Sequence, residues 1–225
     1  MSDVGLVLAA GGSGQRFDPQ RNKLLLNWRG LALFCHPLRA FLPLLRPGQV
    51  IVVAPPGAHG AFREAMTLAG LPAEIRLVAA GHTRQESVAN GIAALPPAAE
   101  IVAIQDGARP CTPAALLLAC VKSARERGSG VAARRVTDTI KMAAADGRVV
   151  STPDRATLRA AETPQVFRRA LIERGLAFVR EHGITVTDDA QALEAAGAEV
   201  YLVEHTFENP KVTHPGDLAR LDAHG

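Results

Sequence analysis

The sequence predicts an α/β chain: a mainly parallel, twisted sheet with helices on both faces and a projecting β-hairpin arm. Three observations carry this expectation. Short apolar runs at residues 4–9, 50–54, 74–79 and 101–105 recur with helix-like segments between them, and such alternation implies a parallel sheet wrapped on both faces. Three glycines, Gly11, Gly12 and Gly14, follow directly on the first run. Where the alternation lapses, Asp146-Gly147 stands between two short β-like runs, which is a hairpin signal.

The first run, 4–9, carries no charge and reads as a buried strand. Residues 33–45 place apolar side chains at helical spacing, and Pro47-Gly48 stops them. Strand-like 50–54 ends at Pro55-Pro56-Gly57, and the helix expected at 59–69 is closed by Gly70. A third strand at 74–79 leads through Gly81 to a helix from about 86 to 95. After the fourth strand, Thr112-Pro113 opens a helix reaching about Arg127. Residues 131–136 and 137–142 then lead to the Asp146-Gly147 turn and to 148–150. Two isolated strands are barely stable alone, so such an arm is expected to reach a second subunit. Helices at about 168–180 and 189–196, a strand at 199–203 and a short helix from about Pro215 complete the chain. No internal repeat, low-complexity tract or linker interrupts it, so one domain over 1–225, with an arm at about 134–157, is the expectation.

Composition narrows the function. The chain has 225 residues and 48% apolar residues, which excludes wholesale disorder. Every apolar run is interrupted before it could span a membrane, and Met-Ser-Asp leads straight into a strand, without the basic and cleavage regions of a signal peptide. Cys35, Cys111 and Cys120 are odd in number and lack metal-site spacing, which fits free thiols in a reducing cytoplasm. A net charge of +3, dispersed arginines, one Trp and one Tyr argue against a nucleic-acid partner and for a small anionic ligand.

In open parallel sheets, ligands lie at the carboxyl ends of the strands. Those ends deliver the glycine loop with Arg16 and Lys23, then Gly81-His-Thr-Arg-Gln-Glu-Ser87, then Asp106-Gly-Ala-Arg-Pro110, then Glu208-Asn-Pro-Lys211. Glycines leaving a strand turn backbone N–H groups toward a phosphate that no Cβ would let approach, and cations downstream hold polyphosphate charge. The loop matches neither the dinucleotide fingerprint nor the P-loop. Taken singly, Asp106 could start a turn, Ser87 could serve only the first turn of its helix, Arg109 could be a structural ion pair and Lys211 a solvated lysine. The seven histidines show no ligand spacing.

The ordered set Leu8-Ala-Ala-Gly-Gly-Ser-Gly-Gln-Arg16, Lys23, Gly81-x-x-Arg-x-x-Ser87, Asp106-Gly-Ala-Arg-Pro110, Thr137-Asp-Thr-Ile-Lys141, Thr163-Pro-Gln165, Thr187-Asp-Asp189 and Asn209-Pro-Lys-Val-Thr213 resembles the 2-C-methyl-D-erythritol 4-phosphate cytidylyltransferases of non-mevalonate isoprenoid synthesis. The resemblance covers nearly the whole chain and implies a Rossmann-like nucleotidyltransferase domain. It also implies a reaction in which CTP and methylerythritol phosphate give CDP-methylerythritol and pyrophosphate, with Mg2+ or another divalent cation. It assigns Arg16, Lys23 and Lys211 to catalysis, and Ala9, Ala10, Gly11, Gly12, Gly14, Gly81, His82, Arg84, Ser87, Asp106 and Gly107 to the nucleotide. Asp106 would meet the ribose or a hydrated metal, in part through water. Arg109, Thr163 and Thr187 fall to the alcohol phosphate. A homodimer exchanging the arm would bring Thr139 and Arg155 to the partner's pocket. The family's proline and glutamine around the loop lysine are here Asn22 and Leu24, and its base-reading aspartate is His82. No fused second catalytic domain is expected before the end at Gly225. Two alternatives remain: a cytidylyltransferase for another polyol phosphate such as ribitol 5-phosphate, and a non-catalytic nucleotide-binding regulator, which the intact Arg16, Lys23 and Lys211 argue against.

Overall fold

The structure, a computed structural model, describes residues 1–11, 22–214 and 216–223. Its strands and helices run β1 (Val4–Ala9), β2 (Asn27–Trp28), β3 (Leu31–Ala32), α1 (Cys35–Phe41), β4 (Val50–Ala54), α2 (His59–Leu68), β5 (Arg76–Ala79), α3 (Arg84–Ala94), β6 (Ile101–Asp106), α4 (Ala114–Arg127), β7 (Ser129–Arg135), β8 (Met142–Ala143), β9 (Val149–Ser151), β10 (Arg159–Arg168), α5 (Arg169–Glu181), α6 (Asp189–Ala195), β11 (Leu202–Glu204) and α7 (Gly216–Ala223). Seven strands form one sheet in the order β11-β7-β10-β6-β1-β4-β5. Every neighbouring pair in it is parallel except the two that β10 makes, with β6 and with β7.

Period-two alternation sorts the apolar strand residues onto two faces. Leu6, Leu8, Val50, Val52 and Ala103 point to the side covered by α1, α2 and α4, where Phe34, Phe41, Phe62 and Leu117 fill the core. Val7, Ile51, Val53, Val102 and Ile104 point to the other side, against Ile92 of α3, Ile172 and Leu176 of α5 and Leu193 of α6. Each such side chain taken from water contributes about 1.5–3 kcal/mol. Strands buried on both faces must be apolar throughout, which is why β1, β4 and most of β6 were legible as runs.

The last ten residues before α5 correct the sequence reading, which placed no strand there. β10 is ten residues long and lies between β6 and β7. Its charged Arg159 and Glu162 and its internal Pro164 hide the strand pattern, because proline argues against a central strand. The proline is accommodated where pairing lapses: β10 pairs with β7 over 159–161 and 165–167, with a register shift between. Most of residues 131–136, which lead into the arm, lie in β7, a sheet strand, so the arm expected at about 134–157 leaves the sheet over 136–158. At its tip the expected Asp146-Gly147 turn is present, with Gly147 at φ +86° and Ala144 N donating to Arg148 O at 2.9 Å. The strand expected at 199–203 is confined to Leu202–Glu204, and the one at 74–79 to Arg76–Ala79. Among the described residues, no helix is long and apolar enough to cross a membrane, and Cys35, Cys111 and Cys120 are free thiols.

Candidate active site

At the carboxyl end of β1 the backbone continues in sheet for one residue, with Ala10 N donating to Val53 O at 2.8 Å. Gly11 follows, and a Cβ there would stand 2.7 Å from Ala80 Cβ. Two loops therefore meet at a distance only glycine permits. The facing loop is held by its own side chains. Gly81 N donates to Ser87 Oγ (3.0 Å), which donates to Thr83 O (2.8 Å). Thr83 caps α3 by accepting from Glu86 N at 3.1 Å, while Glu86 Oε2 accepts from His82 N at 2.8 Å. Ser87 thus fixes Gly81 rather than the helix end. His82 uses its N–H, and its side chain is exposed.

Asp106 ends β6, opposite Ala9 in register. Its N–H donates to Thr163 Oγ1 at 3.0 Å, and Gly107 N donates to Ala9 O at 3.1 Å. Three cations meet the carboxylate: Lys211 Nζ at 2.8 Å, Arg84 Nη2 at 3.6 Å and Arg109 Nε at 3.7 Å. Burial alone would raise the carboxyl; the charges of Lys211, Arg84 and Arg109 outweigh it and hold it below the ordinary carboxylate range. Arg84 is also held from behind by Asp189 Oδ2 at 2.7 Å. Asp189 is buried, and desolvation pushes its carboxyl up despite the arginine. Burial opposes the Arg84 charge, but Asp189 and Asp106 together leave it more firmly protonated than a free guanidinium.

The strap carrying Lys211 is anchored by Asn209, which is fully buried. Its Nδ2 donates to Glu162 Oε2 (2.8 Å) and Thr163 O (2.9 Å), its Oδ1 accepts from Thr112 Oγ1 (2.6 Å), and its carbonyl accepts from Arg109 Nη1 (2.5 Å). Val212 N donates to Ala108 O at 2.9 Å, and Val212 O accepts from Lys23 Nζ at 2.8 Å. Lys23 sits in a short turn capped by Asn22, whose Oδ1 accepts from Leu24 N at 3.0 Å, while Leu24 is buried in the core. The departures from the family pattern at 22 and 24 thus have local work. The Lys211 side chain is 44% exposed, open to an incoming anion.

Arg84, Asp106, Arg109, Thr163 and Lys211 are therefore joined by direct contacts, with Lys23 tied to the strap through Val212 O and Ala9, Ala10, Gly11, Gly81, Ser87 and Gly107 in the adjoining turns. Gly12, Gly14 and Arg16 lie outside the described residues. Thr139 and Arg155 are exposed on the arm, where Arg155 Nη1 donates to Thr137 O at 2.8 Å. Thr187 bonds Gln191 Oε1 at the start of α6 (N–H 2.7 Å, Oγ1 3.1 Å). Sequence reasoning gave no role to Glu162, Gln165, Asp189 or Asn209. Gln165 holds α6 in place, donating to Asp188 Oδ2 at 2.9 Å and accepting from Ala190 N at 3.0 Å.

A family model described as 2-C-methyl-D-erythritol 4-phosphate cytidylyltransferase (IspD) matches residues 4–224. Proteins of that name from Trichormus variabilis and Synechocystis sp. are 40% and 39% identical over 214 residues, covering 95% of this chain and 94% and 93% of theirs. The crystal structure of the protein of that name from Thermus thermophilus superposes with a TM-score of 0.79 at 30% identity, covering 99% of this chain and 98% of that one. A 4-diphosphocytidyl-2C-methyl-D-erythritol synthase from Anaerococcus prevotii gives 0.85 at 25% identity, covering 98% and 97%.

Proposed function

The chain belongs to the 2-C-methyl-D-erythritol 4-phosphate cytidylyltransferase family, and we propose on that premise how its rim performs the reaction. The enzyme transfers a cytidylyl group from CTP to 2-C-methyl-D-erythritol 4-phosphate in isoprenoid synthesis, forming CDP-methylerythritol and releasing pyrophosphate. An oxygen of the methylerythritol phosphate attacks the α-phosphorus in line; the bond to the bridging oxygen of pyrophosphate breaks as the new P–O bond forms. Nucleophile and leaving group are already anionic, so no general base is required. Catalysis reduces to positioning and charge neutralisation.

The observation that carries this assignment is the convergence of Lys211, Arg84 and Arg109 on Asp106 at the end of β6. Lys211, half in solvent, exchanges Asp106 for the α-phosphate and the incoming phosphate. Lys23, tied to the same strap through Val212 O, holds the triphosphate with Arg16. The closely packed turns at Gly11 and Gly81 receive the cytidine. Arg109 and Thr163 face the alcohol phosphate.

Among the described residues, no group of three or more His, Cys, Asp or Glu could hold a metal. Asp106 would hold a Mg2+-like ion, in part through water, and when bound such an ion would supply charge neutralisation for the departing pyrophosphate. The arm leaves Ile140, Met142, Val149 and Val150 exposed at 39%, 55%, 52% and 58%. That apolar surface supports a homodimer in which each arm carries Thr139 and Arg155 to the partner's site. We place the enzyme in the cytoplasm.

Pyrophosphate release tests the assignment, with CTP, ATP, GTP or UTP offered against methylerythritol phosphate and ribitol 5-phosphate. CTP with methylerythritol phosphate is expected to give the highest kcat/KM; preference for another alcohol or nucleotide would overturn the assignment. Deleting residues 140–150 is expected to give monomers with a raised KM for methylerythritol phosphate. An unchanged dimer mass by light scattering would remove the arm exchange.

A further inference from the structure

We propose that Glu162 is a positioning residue for the alcohol-phosphate side of the site, setting the Arg109 guanidinium and coupling it to the root of the arm. The inference rests on the reading of Arg109 as a contact of the alcohol phosphate. Glu162 lies in the stretch where β10 breaks register with β7, and such bulges re-aim side chains beside active sites. Here the break turns Glu162 inward, where it is only 4% exposed.

Four side chains from three separate stretches converge on that carboxylate. Oε1 accepts from Arg134 Nε at 2.6 Å; Oε2 accepts from Asn209 Nδ2 at 2.8 Å, with His205 Nε2 at 3.4 Å and Arg109 Nη1 at 3.6 Å. Arg134 lies near the end of β7, just before the chain departs as the arm. His205 follows β11, and Asn209 anchors the strap of Lys211. A charge this deep is costly unless paired and hydrogen-bonded, and each of its partners is thereby fixed in turn.

The consequence falls on Arg109. Its guanidinium is held by Asn209 O and by two carboxylates, Glu162 through Nη1 and Asp106 through Nε at 3.7 Å. Without the Glu162 charge, Asp106 alone pulls on it, in competition with Lys211 and Arg84. The guanidinium then tilts toward Asp106 and away from the alcohol phosphate. The nucleotide turns at Gly11 and Gly81 share no contact with Glu162 and keep their geometry.

Glu162→Gln preserves shape and the acceptor for Asn209 while removing the charge. The expected result is a rise of about tenfold in the KM for methylerythritol phosphate, below the roughly 100-fold that a 1 Å misplacement can cost. The KM for CTP and kcat should stay within about twofold. Arg134→Met, which leaves Arg109 and Asn209 untouched, should change the same ratio in the same direction by less, so a folding failure of one variant does not stop the test. On an Arg109→Met background, Glu162→Gln should add less than about twofold, because the two act through one contact. Equal changes in both KM values, no change in the alcohol-phosphate KM, or full additivity with Arg109→Met would overturn the proposal. All ratios are read with the alcohol phosphate that the parent enzyme turns over, so an error in substrate assignment appears in the parent and an error about Glu162 only in the variants.

Discussion

The turns of the rim that receive the cytidine are built from backbone, and the part that faces the phosphates from buried charge. Around Gly11 and Gly81 the contacts are carbonyls, amides, two hydroxyls and the exposed Glu86 carboxylate, most of them spanning a few residues. Around Asp106 and Glu162, ionised side chains meet across the chain: Arg109 with Glu162, Arg84 with Asp189, Arg134 with Glu162, Asp106 with Lys211. Backbone turns can be packed tightly without desolvating any ion. A region of buried ions is stable only if every charge keeps its partner. The first side should therefore fail through steric change, and the second through loss of a single charge.

The largest effect is expected where the two sides meet. Lys23→Ala or Lys211→Ala should lower kcat by on the order of 100-fold or more, the scale for removing one transition-state charge stabiliser. Thermal stability of the Lys211 variant should fall as well, because buried Asp106 loses the nearest of its three cations. Near-normal kcat in both variants would remove charge neutralisation as the mechanism. Gly11→Ala probes the backbone side alone: its methyl would press on Ala80, and the expected cost is about 1–3 kcal/mol. That cost should appear in the KM for CTP and leave the alcohol-phosphate KM unmoved, the mirror image of Glu162→Gln. Variants that raise both KM values alike would erase the distinction between the two sides.

The smallest effect is a pH dependence confined to the charged side. Burial pushes the His205 imidazole below its usual range, Arg134 and Arg109 push the same way, and Glu162 opposes them. The unfolded imidazole takes its proton near pH 6.5, about the free-residue value, and the folded one only below that. The stability contributed by the neutral form is therefore present above about pH 6.5 and is lost as the pH falls. His205→Asn should flatten the decline of Tm between about pH 6.5 and 5 by on the order of 2 °C. Asp106 acts in a separate window: its lowered carboxyl contributes stability above about pH 4 that disappears in stronger acid. Identical Tm profiles for parent and variant would show that His205 is not part of the charged cluster.

The same contrast explains which parts were legible in the sequence. β1, β4 and β6 announce themselves because strands buried on both faces are continuous apolar runs, and the two turns because glycine and helix-cap residues sit within a few positions of one another. The helices at 59–69 and 112–127 were bounded by Gly70 and Pro113 to within a residue or two of their observed ends. β10 was not legible, because Arg159, Glu162 and Pro164 break its pattern and only the neighbouring strands and the register shift accommodate them. Glu162, Asp189 and Asn209 received no role for a related reason: each works on a residue 28 or more positions away, and no spacing rule reaches that far.

By itself, then, the sequence determined the alternation that makes the sheet parallel, the glycine turns at its carboxyl edge and the cations beside them, all of which follow from local backbone and period-two rules. Only the tertiary structure decided that an antiparallel strand would enter the sheet between β6 and β7, and that its irregular stretch would place one carboxylate among Arg109, Arg134, His205 and Asn209. Burial and charge pairing are properties of what lies across space. The chain supplies those partners from three separate stretches, at 109, 134 and 205–209, and folding alone brings them together.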